Sequence, residues 1–151
     1  MANFLAIQNN QVFRHFAWWS AAMSVKMMCM MPLIGRQRFR KKIFMTPEDC
    51  AFIGKSAKVA FDDPDVERPR RAFLNDLENI VPWFICTSVF LTTSPPPALA
   101  INLIRAFGIS RIVHTIVYAV IPMPQPARVV AYAVGYAITV YQAYLTLLHY
   151  T

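Results

Sequence analysis

Glycine is scarce in this chain, with four residues in 151. A backbone cradle for phosphate needs glycines clustered at a strand–helix turn, so a nucleotide site of that kind is not expected. Cysteine is sparser still. Cys29, Cys50 and Cys86 form no C-x-x-C pair, so neither a disulfide framework nor a zinc site is expected, and no metal centre is assigned. Negative charge is also short, with eight Asp and Glu against fifteen Lys and Arg, a net charge of +7. Such an excess can mark nucleic-acid binding, but no RNA-binding aromatic signature accompanies it, and nucleic acid is not an expected partner.

What the chain has in abundance is apolar surface. Hydrophobic residues make up 56% of it and the mean hydropathy is +0.37, more than a soluble domain of this size usually carries. The composition therefore predicts an integral membrane protein. Four apolar stretches follow one another at about 12–33, 70–92, 98–121 and 127–150, each long enough to cross the hydrocarbon core. The first holds Trp18 and Trp19 and a single charge, Lys26; it reads as a retained signal anchor rather than a cleaved leader. Pro82 is expected to kink the second. Pro95, Pro96 and Pro97 separate the second from the third, and Pro122, Pro124 and Pro126 tie the third to the fourth. Such short links make antiparallel neighbours. The expected fold class is all-α, a four-helix membrane protomer forming one domain over 1–151.

Eight of the fifteen basic residues fall in a polar loop over about 35–69 that contains Arg38 and Cys50, and Arg70 and Arg71 follow at the start of the second stretch. The bias of cations toward the cytosolic side places this loop in the cytosol and both termini on the other face. Cys50 follows Glu48 and Asp49 in that loop and is a candidate redox-sensitive thiol.

The second stretch begins with a dense run of charges. Arg71, Asn75, Glu78 and Pro82 stand at i, i+4, i+7 and i+11, so a cation, an amide and a carboxylate form one narrow stripe. Ionisable groups at membrane depth are costly unless they meet a partner helix, water or a ligand. A solvated first turn with intrahelix ion pairs is the plainer alternative for Arg68 and Arg70. The third stretch repeats the device with Arg111, Thr115 and Tyr118, with His114 alongside. For His114 a packing role competes with ligand contact. The two stripes can face each other, and Arg38, Arg71, Glu78 and Arg128 are expected to gather at the cytosolic helix ends. A small zwitterionic anion would suit such a pocket. In the fourth stretch Ala131, Gly135 and Thr139 recur every four residues, a spacing that allows close helix approach.

These residues resemble a known family. Glu67-Arg68 with Arg70-Arg71-Ala72, Asn75-Asp76-Leu77-Glu78-Asn79, Arg111-Ile112-Val113-His114-Thr115 with Tyr118, and Pro124-Gln125-Pro126 with Arg128 are similar to the type 1 branch of the microsomal glutathione transferases. That branch belongs to the superfamily of membrane-associated proteins in eicosanoid and glutathione metabolism. The loop Pro47-Glu48-Asp49-Cys50 resembles the same branch, and the likeness covers almost the whole chain.

The resemblance implies a homotrimer with glutathione, the co-substrate, bound between adjacent subunits near the cytosolic face. Arg38, Arg70, Arg71, Asn75, Glu78, Arg111, His114, Tyr118 and Arg128 match its glutathione-contacting or supporting positions. Arg128 is the residue assigned to the thiolate. Phe73 stands where the family usually has histidine, and Val129 where the related prostaglandin E synthases have serine. The implied reaction is conjugation of glutathione to a lipophilic electrophile drawn from membrane lipid, with peroxidase activity on lipid hydroperoxides as a further expectation. The implied location is the endoplasmic reticulum, with the mitochondrial outer membrane as a second site. A glutathione-dependent prostaglandin isomerase and a non-catalytic lipid-binding scaffold are the alternatives.

Overall fold

The structure is a computed structural model that describes residues 10–151. The first nine residues of the expected single domain lie outside the described ones. Among the described residues five α-helices carry the architecture: α1 (Gln11–Lys41), α2 (Pro47–Ile53), α3 (Pro64–Phe90), α4 (Pro97–Thr115) and α5 (Ala127–Tyr150). A two-residue parallel pair, β1 (Ile43–Phe44) with β2 (Lys58–Val59), flanks α2. Among the described residues the fold is all-α apart from this pair.

Local chemistry sets the helix starts. The Asn10 side chain accepts from the amides of Val12 and Phe13 at 2.9 and 3.2 Å. Asp63 accepts from Asp65 and Val66 at 3.0 and 3.3 Å, directly before Pro64 at the first helical position. Such side chains satisfy amides that have no carbonyl one turn back. α1 ends where Lys42 turns left-handed at φ 55°. The expected loop at 35–69 is therefore more ordered than the sequence suggested: α1 continues to Lys41, α2 and the β pair occupy its middle, and α3 begins at Pro64.

α1 packs on α3 and α4, and α5 packs on α3 and α4. The central cluster is Phe16, Met23, Ile80, Trp83, Ile104, Phe107 and Ile138, with Trp83 and Phe107 stacked at 4.4 Å between centroids. Glycine is needed at Gly108, where an added Cβ would lie 2.0 Å from the Trp19 ring. α5 buries only Ala131, Gly135, Ile138 and Gln142, at i, i+4, i+7 and i+11, and exposes Val129, Val130, Val134, Val140, Leu147 and Leu148. A helix this apolar on its outward face belongs in lipid rather than water. Among the described residues two helical segments, Pro97–Val120 and Ala127–Tyr150, are long and apolar enough to cross a membrane.

Ala131 and Gly135 face α4 within the same chain, where an added Cβ on Gly135 would lie 2.9 Å from Ser110 Oγ. Two members of the small-residue stripe thus serve packing inside one chain.

Candidate functional site

α3 turns one stripe inward: Val66, Pro69, Ala72, Asp76, Ile80, Trp83, Thr87 and Phe90 are all buried. Asp76 is the charged member, fully buried, and it organises the polar interior. It pairs with Lys26 of α1 and with Arg111 of α4, whose Nη2 donates to Asp76 Oδ1 at 2.6 Å. Thr115 donates to Asp76 Oδ2 at 3.4 Å. Three helices therefore meet on one carboxylate. Gly135 of α5 lies against this part of α4, where an added Cβ would stand 3.4 Å from Arg111 Cδ, an ordinary contact.

Arg111 also donates to Asn75 Oδ1 at 2.8 Å, and its Nη2 lies 3.3 Å from His114 Nδ1. From His114 the contacts continue outward. The His114 ring meets Tyr118 edge-on at 5.5 Å, and the Arg128 guanidinium lies 4.5 Å over the Tyr118 ring. Tyr118 is placed there by a π-helical turn, Ile116–Val120, that follows α4; such turns re-aim side chains and often mark functional positions.

Arg128 and Tyr118 line a cleft of about 230 Å³ with Asp62, Pro64, Glu67, Arg68 and Arg71. Three guanidiniums and two carboxylates give it one net positive charge. Charge-assisted bonds from guanidiniums suit a carboxylate-bearing ligand. Next in sequence to the lining residues Asp62 and Pro64 is a clasp: Lys41 pairs with Asp63 at 3.1 Å and with Asp65 at 2.5 Å. A hydrogen bond to Asp65, then one to Asp63, raises the Lys41 pKa, and the hydrogen bond from Lys41 holds Asp65 below the usual carboxylate value.

Of the residues picked out by sequence, the cleft brings together Arg71, Tyr118 and Arg128, while Arg111 and His114 are buried and hydrogen-bonded to each other, and Arg111 also to the half-buried Asn75. Arg70 pairs with Glu67 of the cleft at 2.9 Å without lining it. Arg38 is half-buried on α1, away from the cleft lining, and its Nη1 is buried with no partner among the described residues. Cys50 is a half-buried free thiol on α2. Glu78 departs most from expectation: it is exposed on α3, as is Arg71. The stripe of Arg71, Asn75, Glu78 and Pro82 sits about 100° around the helix from the inward face, so it does not meet Arg111, Thr115 and Tyr118 as a whole. Only Asn75 bridges to Arg111. Asp76 and Lys26 were not assigned to the site from sequence; the signal was a lone carboxylate at a position otherwise spaced like core.

Comparison with known proteins agrees with this layout along nearly the whole chain. A family model described as the MAPEG family matches residues 16–148. Microsomal glutathione S-transferase 1 of Bos taurus is 42% identical over 147 residues, covering 95% of this chain and 94% of that protein. The Homo sapiens protein of the same name is 39% identical over the same coverage. Prostaglandin E synthase of Bos taurus is 35% identical over 131 residues, covering 87% of this chain and 84% of that protein.

Proposed function

The chain belongs to the MAPEG family, and from that membership we propose that it is a membrane-bound glutathione transferase whose site is the cleft of Arg71, Tyr118 and Arg128. The observation that carries the assignment is the placement of Arg128 at this cleft, held over the Tyr118 ring and beside two further guanidiniums. Glutathione brings two carboxylates, an amine and a thiol. Arg38, Arg70 and Arg71 hold its carboxylates, Glu78 accepts from its amine, and Asn75, fixed by Arg111, orients the peptide. His114 and Tyr118 support the wall between Asn75 and Arg128. The thiol gives its proton to solvent, and Arg128 stabilises the thiolate. The thiolate then attacks the electrophile, a carbon–sulfur bond forms, and the leaving group departs with its electron pair. With a hydroperoxide, two glutathiones reduce the O–O bond to alcohol and water and become the disulfide.

Arg38 and Glu78 do not line the cleft of a single chain, and Glu78 is exposed on α3. A homotrimer in which one subunit presents Glu78 and Arg38 to the cleft of the next satisfies both facts. The orientation with the Cys50 loop in the cytosol follows the charge bias, and the endoplasmic reticulum is the membrane proposed, with the mitochondrial outer membrane second. Conjugation is favoured over prostaglandin isomerisation by Val129, beside Arg128. Calorimetry of glutathione on the purified protein, together with conjugation of a chloronitroarene, tests the proposal. Saturable binding with formation of the thioether is expected; no binding in a trimeric, folded sample would contradict it.

A further inference from the structure

All eight Asp and Glu residues lie between Glu48 and Glu78, so the helix ends opposite the Lys41 clasp have none. That end nevertheless carries cations. Arg14 and His15, on the first turns of α1, and Arg105 of α4 line an open pocket of about 550 Å³ with Gln11, Trp18 and Trp19. Arg105 Nη2 and His15 Nε2 stand 3.2 Å apart. Arg14 and Arg105 are exposed, and their charges run against the bias that keeps cations on the cytosolic side.

The pocket has a fixed floor and an apolar continuation. Trp19 is seated on Gly108, where no Cβ fits, and Trp18 meets it edge-on at 4.9 Å while remaining 62% exposed. Tryptophans so placed sit at the headgroup level of a bilayer. From Arg105, Ile109 and Ile112 follow at i+4 and i+7 on the same side of α4, Ile116 continues the line at i+11 at the start of the π-helical turn, and all three are exposed. Two guanidiniums without a carboxylate thus stand at the head of an apolar track that runs toward the middle of the membrane.

We propose that Arg14 and Arg105, with Gln11 and His15, bind the phosphate of a membrane phospholipid in the leaflet opposite the glutathione cleft, with an acyl chain along Ile109, Ile112 and Ile116. Lipid phosphate is the abundant anion at that depth, and guanidiniums bind it with charge-assisted hydrogen bonds. The site rests on the membrane placement of the chain and not on the glutathione chemistry, so either can fail without the other.

Native mass spectrometry of the purified protein in mild detergent tests this with three probes: phosphatidylglycerol, a diacylglycerol of the same chains, and inorganic phosphate. The wild type is expected to retain phosphatidylglycerol and not diacylglycerol, and the combined Arg14→Gln and Arg105→Gln variant to retain about tenfold less, with glutathione binding unchanged. Equal retention by the variant, equal retention of diacylglycerol, or displacement of the lipid by millimolar inorganic phosphate would each overturn the proposal. If the double variant folds poorly, Arg14→Gln alone, on an exposed side chain, carries the same comparison. A loss of about threefold is then expected, and unchanged retention contradicts the site.

Discussion

At the loop end Lys41 reaches Asp63 and Asp65, and inside the helices Lys26 and Arg111 share Asp76; at the opposite end Arg14 and Arg105 find no Asp or Glu at all. The two regions answer the same problem differently. Where the chain supplies its own counter-charge, the cations fix structure. Where it does not, as at Arg14 and Arg105 or in part at the cleft, the cations remain free to meet something from outside. Substitutions in the first kind of region should cost folding, and in the second kind binding.

The largest expected effect is at Asp76. Asp76→Asn keeps the shape but strands Lys26 and Arg111 without their shared carboxylate. Removing one partner of a buried charge cluster costs about 3–5 kcal/mol. Thermal unfolding in detergent should show it, and adding Lys26→Met in that background should recover part of the loss. Full stability of Asp76→Asn would erase the distinction between the two regions. Phe73, half-buried on α3, gives the next effect on the ligand side. Phe73→His adds a donor where the resemblance leads one to expect it, and should tighten glutathione binding by about 1–2 kcal/mol while leaving stability nearly unchanged. Calorimetry reads the affinity; an unchanged dissociation constant would mean that the carboxylate is held elsewhere.

The clasp at Lys41 should produce the smallest effect, seen only at extremes of pH. Asp65 has a lowered pKa, so its contribution is complete above its unfolded value of 3.8 and fades as pH falls through the lower folded value. Lys41 has a raised pKa, so its contribution is complete below 10.5 and fades only as pH rises through the higher folded value. Proteolysis of the 42–62 segment should therefore be flat from about pH 5 to about pH 9 and quicken below about pH 4, and Lys41→Met should remove that acid response. An unaltered acid response in Lys41→Met would assign it to another group.

The helices were legible as long apolar runs parted by the proline links at 95–97 and 122–126, but the caps at Asn10 and Asp63-Pro64 went unread, and α1 and α3 both extend further into the loop than the apolar stretches do. The facing of α3 was not legible. Polar residues at 71, 75 and 78 and core-spaced residues at 72, 76, 80 and 83 are both regular stripes, and only packing decides which one turns inward. Tertiary contact chose the stripe with Trp83 and Ile80, which buried Asp76 and left Glu78 outside. The order of the loop escaped notice for another reason: α2 and the two-residue strands are too short to leave a periodic signal. The seating of Trp19 on Gly108 joins positions 19 and 108, which nothing in the sequence connects.

The central claim is that Arg128, stacked on Tyr118 at the cleft, stabilises the glutathione thiolate. Turnover and the ultraviolet absorbance of bound thiolate, followed from about pH 6 to about pH 9 in wild type, Arg128→Lys and Arg128→Leu, test it most directly. The account predicts that Arg128→Leu, folded and still binding glutathione, loses turnover and forms thiolate about one to three pH units higher, with Arg128→Lys between the two. Thiolate formation and turnover at the wild-type level in well-folded Arg128→Leu would contradict it.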